Sequence, residues 1–252
     1  MSLLQVENVS VQFFGLKALS DVTFDVEPGQ VRAVIGPNGA GKSTLFNVIT
    51  GYVRPNEGKV VYDGQSVVGL PRHVVAGRGM RRTFQNGGVF SELTVLENVL
   101  TGLNAVTASS TLGIVLRLPG AGAAERRAVD EAMSLLETMG LAGLANNVVG
   151  DLSSGQQRLV EITRAMAARA RLLLLDEPAV GLSSSERDRL MNVLRDLAKD
   201  GVAVLLVEHV IDLVMAVSDR IVVLNYGEVI AEGTPEEIRS HEAVLEAYLG
   251  HG

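Results

Sequence analysis

The stretch Gly36-Pro37-Asn38-Gly39-Ala40-Gly41-Lys42-Ser43-Thr44 decides the fold class of this chain. It matches the phosphate-loop pattern G-x-x-x-x-G-K-[ST] at every specified position. Its glycines permit backbone conformations that turn successive N–H groups inward around phosphate oxygens. The Lys42 charge can reach the outer phosphates, and the Ser43 hydroxyl can ligate Mg²⁺.

The residues that flank this loop support the same interpretation. Residues 31–35 have the apolar pattern of a strand that enters the loop, and residues 44–49 have the pattern of a helix that leaves it. Such a helix directs its N-terminus at a bound anion. The alternative is a glycine-rich turn that contains Lys-Ser by chance. It does not explain why a strand pattern precedes the loop and a helix pattern follows it. We therefore predict a nucleoside triphosphate site in an α/β fold.

Composition limits the remaining classes of function. The 252 residues include 47% hydrophobic and 20% charged residues, as in globular proteins. A net charge of −7 argues against a nucleic-acid partner. There is no cysteine, which excludes disulfides and thiolate metal sites. The sequence shows no N-terminal signal pattern and no apolar run of bilayer-spanning length, so we expect any membrane role to act through partners.

The first part of the chain predicts a small, largely antiparallel sheet. Residues 3–6, 9–14, 22–26 and 58–62 have the apolar alternation of strands. Phe13 precedes a turn at Gly15, where an aromatic ring could stack on a base; a buried core residue is an equal alternative. Gln85 follows a short predicted strand, where it could contact Mg²⁺ or the attacking water, or be an ordinary surface residue.

Helices dominate the next segment, from 90 to about 147, including one predicted at 125–139. Within it, 109–122 is rich in small residues, and its sequence indicates no function. Ser153 and Gln156 then form a capping-box pattern, which is one complete explanation of Leu152-Ser153-Ser154-Gly155-Gln156. A helix that begins with Ser-x-Gly is also a potential second phosphate site.

Two carboxylates follow a continuous apolar run at 172–175, which predicts a buried parallel strand. Asp176 is placed to hold Mg²⁺, and Glu177 to take the proton of an attacking water. His209 follows another buried strand at 202–207. A histidine there is usually only a polar terminus, but ligands bind at this edge of parallel sheets.

Together these motifs resemble the ATP-binding subunits of ABC transporters, and the resemblance covers nearly the whole chain. It depends on five features in order: the loop at 36–44, Gln85, Leu-Ser-Ser-Gly-Gln at 152–156, Leu-Leu-Leu-Leu-Asp-Glu-Pro at 172–178, and His209. The resemblance implies that Phe13 stacks on adenine, Gln85 senses the γ-phosphate, Glu177 is the catalytic base and His209 contacts the γ-phosphate. It implies ATP and Mg²⁺ as ligands.

The family fold is also implied: a RecA-like phosphate-loop core with a β subdomain (1–85 and 154–234), a helical subdomain (86–153) and a C-terminal helical tail (235–252). The signature residues Ser153, Gly155 and Gln156 would bind ATP held by a second ABC ATPase subunit, identical or not. The other implied partners are integral membrane permease subunits and, indirectly, a solute-binding protein. The resemblance places the protein peripherally on the cytoplasmic face of the inner membrane.

Arg81-Arg82-Thr83-Phe84-Gln85, residues 93–98 and the ending Glu246-Ala247-Tyr248-Leu249-Gly250 further resemble the larger ATPase subunit of branched-chain amino acid importers. Importers for urea or short amides are similar in these segments. Ser183 departs from the Asp that family members usually carry after Gly-Leu, which puts the usual contact between the two ATP sites in doubt.

Two other kinds of function are alternatives to import. A soluble, non-transport ABC ATPase usually has two cassettes or a long coiled-coil insertion, and neither is present. A protein that binds ATP without hydrolysing it would not need Lys42, Asp176, Glu177 and His209 together.

Overall fold

The computed structural model describes residues 2–83, 88–104 and 121–249. Gln85 and most of the 109–122 segment lie outside these ranges. The chain divides into two compact units. The first comprises 1–82, 171–178 and 194–252, and the second comprises 83–170 and 179–193. The subdomain limits expected from the sequence, with a helical part at 86–153, stay a prediction.

The described strands follow one another in chain order. They are β1 (Leu4–Phe13), β2 (Leu16–Val26), β3 (Val31–Ile35), β4 (Glu57–Tyr62), β5 (Gln65–Ser66), β6 (Met80–Arg82), β7 (Leu172–Asp176), β8 (Ala203–Val207), β9 (Arg220–Asn225) and β10 (Glu228–Gly233).

The described helices are α1 (Lys42–Ile49), α2 (Arg72–Gly77), α3 (Val95–Asn104), α4 (Ala121–Met139), α5 (Ser154–Ala167), α6 (Ser184–Lys199), α7 (Ile211–Val217), α8 (Pro235–Arg239) and α9 (Glu242–Leu249). No helix in the described ranges has both the length and the apolar character needed to cross a bilayer.

The first unit contains two sheets. One is antiparallel, in the order β2-β1-β4-β5, as predicted. The other has the order β10-β9-β3-β8-β7-β6, in which only the β9–β10 pair is antiparallel. Every residue of β3, β7 and β8 is buried, as in a parallel sheet covered on both faces. The carboxyl ends of β3, β7 and β8 therefore lie along one edge of the sheet, which is where ligands bind in such folds.

An apolar cluster of buried residues in the first unit joins strands of both sheets to α1. Its members include Leu4 and Val6 of β1, Leu45 and Phe46 of α1, and Leu174 of β7. Because Leu45 and Phe46 are fully buried in it, α1 is fixed immediately after the phosphate loop. The core thereby determines the position of the loop.

The second unit consists mainly of helices. Helices α3, α4 and α5 pack against one another through buried side chains such as Val99, Leu136 and Ile162. Helix α3 begins with the predicted capping box: the Thr94 amide donates to Glu97 Oε2 at 2.8 Å, and the Glu97 amide donates to Thr94 Oγ1 at 3.2 Å. The helix predicted at 125–139 is confirmed within the longer α4.

Candidate functional site

The phosphate loop lies between β3 and α1 in the first unit. Gly36 and Gly41 have backbone φ angles of +151° and +104°, in the region that favours glycine. A Cβ on Gly36 would overlap the Leu224 carbonyl oxygen, and one on Gly41 would lie 2.6 Å from the Ala18 carbonyl oxygen. Both glycines are therefore required by close packing as well as by conformation, while Asn38 and Gly39 at the tip are exposed.

Lys42 is buried, and its ammonium group donates hydrogen bonds to carbonyl groups of the same loop. The Nζ atom donates to the carbonyl oxygens of Gly36 at 2.7 Å and Pro37 at 2.9 Å. Burial lowers the pKa of Lys42, and the nearby carboxylates of Glu177 and Asp176 partly oppose that fall. The structure thus brings Lys42 into the electrostatic field of both carboxylates that the sequence singled out.

Asp176 and Glu177 lie at the carboxyl end of β7. Asp176 is buried, and its Oδ2 accepts a hydrogen bond from Arg82 Nη2 at 3.1 Å. Glu177 adopts a left-handed φ of +50°, which is uncommon for a non-glycine residue, and its amide donates to the Val207 carbonyl at 2.8 Å. The hydrogen bond to the last residue of β8 holds the backbone of Glu177 in this conformation.

His209 follows β8, the strand next to β7. Its Nε2 lies 2.7 Å from Glu177 Oε1, so the structure brings these two predicted residues together. The imidazole is 41% exposed and Glu177 is 19% exposed, which leaves both accessible from solvent. The buried carboxylate of Glu208 accepts hydrogen bonds from the amides of His209 at 2.6 Å and Val210 at 3.0 Å, and so fixes the backbone that carries the histidine.

The oxygen atoms available near Lys42 suit Mg²⁺. Hydroxyl and carboxylate oxygens are the ligands that this hard cation prefers. Ser43 is exposed at the start of α1, and Asp176 is held in place by Arg82. These two residues therefore fit the metal that accompanies a nucleoside triphosphate.

Phe13 lies at the end of β1 and is 43% exposed. The alternative that it is a buried core residue is therefore wrong. An exposed aromatic ring remains available to stack on a base, and that role stays a prediction. Gln85, the other residue with open alternatives, lies outside the described residues.

The signature segment lies in the second unit, and its capping box is confirmed. Ser153 Oγ accepts from the Gln156 amide at 3.2 Å, and Gln156 Oε1 accepts from the Ser153 amide at 3.1 Å. The N–H groups of Ser154 and Gly155 lie in the first turn of α5, where a helix supplies no carbonyl partners for them. Capping and anion binding are therefore compatible at this helix end.

Gly155 packs directly against the segment 181–183. A Cβ on Gly155 would lie 2.5 Å from the Gly181 carbonyl oxygen. In the same segment Ser183 caps α6: its Oγ accepts from the Glu186 amide at 3.4 Å, and its own amide donates to Glu186 Oε2 at 2.8 Å. Serine therefore retains the capping function at the position where an aspartate was expected.

Sequence reasoning missed three residues at the site: Arg82, Glu208 and Tyr248. A hydrogen bond from the Gly36 amide reaches the Tyr248 hydroxyl, whose pKa is raised by burial and partly lowered again by that bond. A carboxylate directly before a histidine at a strand end was a usable signal for Glu208. Arg82 and Tyr248 contact partners 94 and 212 positions away in the chain, and no local pattern shows such contacts.

The loop lies between β3 and α1, and Lys42 lies near carboxylates from a parallel strand of the same sheet. This arrangement defines a phosphate-loop nucleotide-binding protein. Comparisons with known proteins identify the family. The family model for "ABC transporter" matches residues 19–180. The model for "Branched-chain amino acid ATP-binding cassette transporter" matches residues 228–252. The chain belongs to the ATP-binding subunits of ABC transporters.

Three similar proteins support this assignment over almost the full length. The high-affinity branched-chain amino acid transport ATP-binding protein BraF of Pseudomonas aeruginosa is 43% identical over 249 residues, 98% of each chain. An ATP-binding cassette of an ABC transporter in its ADP conformation is 34% identical, with a TM-score of 0.83 and 99% of both chains covered. A dimeric cassette in a post-hydrolysis state with ADP and Pi is 27% identical, with a TM-score of 0.78, covering 92% of this chain and 98% of that one. The predicted fold class is thereby confirmed.

Proposed function

We propose that this protein is the ATP-hydrolysing subunit of an ABC importer for branched-chain amino acids. The observation that carries the hydrolytic part is the pairing of Glu177 Oε1 with His209 Nε2 at 2.7 Å, close enough to Lys42 for both carboxylates to act on its pKa. The choice of branched-chain amino acids as the solute is supported by two findings. Residues 228–252 match the branched-chain amino acid cassette model, and the chain is similar to BraF.

Each role in ATP binding and hydrolysis falls to particular residues of this chain. Amides of the loop and Lys42 bind the phosphates, while Ser43 and Asp176 would hold Mg²⁺, which would neutralise charge on the phosphates. Phe13 stacks on adenine. Glu177 takes a proton from the attacking water, since a carboxylate at the end of β7 reaches the same edge of the sheet as the loop. Gln85, which follows β6 in the chain sequence, senses the γ-phosphate.

The contact between Glu177 and His209 determines when Glu177 can take a proton from water. While His209 bonds to Glu177, the carboxylate is engaged and is a poor base for water. When ATP is bound, the γ-phosphate offers His209 an anionic partner, and Glu177 becomes available to a water molecule. The exposure of His209 allows this exchange of partners without movement of the buried strands.

The second half of each ATP site comes from a partner subunit. Ser153, Gly155 and Gln156 supply the first turn of α5 to an ATP held on the loop of that partner. The dimeric cassette with ADP and Pi supports this arrangement by likeness. Closure of the dimer around ATP would move the membrane subunits, to which the chain binds on the cytoplasmic face, and a solute-binding protein would deliver the amino acid.

Solute-dependent ATP hydrolysis by the assembled transporter tests this proposal. Proteoliposomes containing this subunit with its membrane partners and binding protein should hydrolyse ATP faster when leucine, isoleucine or valine is added. The same preparation should not respond to urea or acetamide. Stimulation by urea or short amides alone would favour the related importers, and no co-purification with membrane subunits would favour a non-transport ATPase.

A further inference from the structure

Arg82 joins three parts of the first unit through one side chain. Its Nη2 donates to Asp176 Oδ2 at 3.1 Å, and its Nη1 donates to Asn47 Oδ1 at 2.8 Å and to Thr50 Oγ1 at 3.1 Å. The guanidinium also lies 5.5 Å from the centroid of the Phe46 ring. Arg82 is the last residue of β6, and Asp176 ends β7. Phe46 and Asn47 are on α1, and Thr50 is the C-cap residue of that helix.

The two ligands assigned to Mg²⁺ come from two of these parts. Ser43 is on the first turn of α1, and Asp176 is at the end of β7. The hydrogen bonds from Arg82 to Asn47 and Thr50 hold α1, and its hydrogen bond to Asp176 holds the carboxylate. One guanidinium thus fixes both the rotamer of Asp176 and the separation between Asp176 and the helix that carries Ser43.

A contribution to folding stability does not by itself explain the buried ion pair between Arg82 and Asp176. The side chains of Arg82 and Asp176 are only 9% and 4% exposed, so both charges are largely removed from water. Buried ion pairs are commonly no more stabilising than apolar residues of the same volume. Arginine also suits positioning better than lysine does, because its planar group reaches three partners with fixed geometry.

We propose that Arg82 is a positioning residue for the metal–nucleotide complex: it orients Asp176 and sets its distance from α1. The proposal rests on the assignment of Asp176 to Mg²⁺ made above. Residues that orient metal ligands typically contribute 10–100-fold to metal affinity.

The test measures metal binding directly, without hydrolysis. Mn²⁺ is titrated into the full-length protein saturated with ADP, and bound Mn²⁺ is followed by electron paramagnetic resonance. Arg82→Lys should weaken Mn²⁺ binding by about 10–100-fold. Asn47→Ala leaves Arg82 in place but removes one of its hydrogen-bond acceptors. This variant should also weaken Mn²⁺ binding, but by less than Arg82→Lys does. ADP affinity in excess EDTA should stay within about twofold for both, since the hydrogen bonds between Arg82 and its partners go to Asp176, Asn47 and Thr50 and not to the carbonyl oxygens that Lys42 engages.

Two further variants separate the possible outcomes. Arg171→Met removes the arginine of an exposed Arg–Asp pair, with Asp63, and should leave Mn²⁺ affinity unchanged. Asp176→Asn should weaken Mn²⁺ binding at least as much as Arg82→Lys. If Asp176→Asn has no effect, the metal site itself is misassigned. If Asp176→Asn weakens binding but folded Arg82→Lys and Asn47→Ala do not, Arg82 has no positioning role. Tighter Mn²⁺ binding in Arg82→Lys would also overturn the proposal, because Arg82 would then act only as a competing charge.

Discussion

Replacement of Gly155 by alanine tests whether the signature helix depends on its contact with the segment 181–183. The added Cβ would lie 2.5 Å from the Gly181 carbonyl oxygen and 3.1 Å from its carbon. Real Cβ contacts essentially never fall below 3.0 Å, so the Gly181 carbonyl must move by at least about 0.5 Å. Both atoms belong to backbone, which cannot rotate away as a flexible side chain can.

The expected loss of stability is the difference of two effects. Forcing an extra carbon into a close-packed contact costs about 1–3 kcal/mol. Alanine in place of glycine in a helix stabilises by at most about 1 kcal/mol. We therefore expect Gly155→Ala to lower the free energy of unfolding by up to about 2 kcal/mol, or to lower Tm by up to about 8 °C for a chain of this size.

Urea unfolding and differential scanning calorimetry of the purified protein measure this change. Gly143→Ala is the matched control, because a Cβ there has open space within 4 Å in the same unit. That control should be neutral or slightly stabilising. If Gly155→Ala is as stable as Gly143→Ala, the inferred close contact with Gly181 is wrong.

Three further predictions concern the loop, the signature and a helix cap. Lys42→Ala should abolish most of the rise in Tm that saturating ATP produces, which is about 2.7 kcal/mol of stabilisation at 100 times Kd; Lys59→Ala, on an exposed ion pair, is the control. An unchanged thermal shift in Lys42→Ala would exclude a phosphate contact. Ser153→Arg should cripple hydrolysis while the lone subunit still binds ATP, and hydrolysis that survives would contradict a site shared between subunits. Hydrogen bonds from the backbone and side chain of Thr94 lower the pKa of Glu97 below its ordinary 4.5, so the stabilisation they give is present above that value and lost as the pH falls through the lowered pKa. Urea unfolding from about pH 6 to pH 3 should therefore show a smaller loss for Glu97→Gln than for the wild type, and equal losses would refute the linkage.

Local patterns predicted the parts of the fold that depend on local chemistry. The strand at 31–35 is confirmed as β3, and the capping boxes at Thr94, Ser153 and Thr234 are all present. Each of these depends on residues within a few positions of one another. The carboxylates at the end of β7 were found because a fully apolar strand that ends in two acids has few structural explanations.

Other features had no local signal. Helix α7 (Ile211–Val217) has little local sequence signal, because it is short and its N-cap is Val210, which offers no side-chain hydrogen bond. Strand β2 begins at Leu16, six residues earlier than predicted, since its first two residues, Leu16 and Lys17, are both exposed and break the alternation. The partnership of Arg82 with Asp176 depends on the adjacency of β6 and β7, which only the sheet topology establishes.

The most direct test of the central claim is ATP-dependent leucine uptake by the assembled transporter with Glu177→Gln in this subunit. The variant keeps the size of the side chain and an oxygen facing His209, but it cannot act as a base. A general base contributes about 10²–10⁴-fold to rate, so hydrolysis and leucine uptake should both fall by at least about 100-fold while ATP stays bound. Normal hydrolysis and uptake in Glu177→Gln would contradict the role of this subunit as the ATPase that drives import.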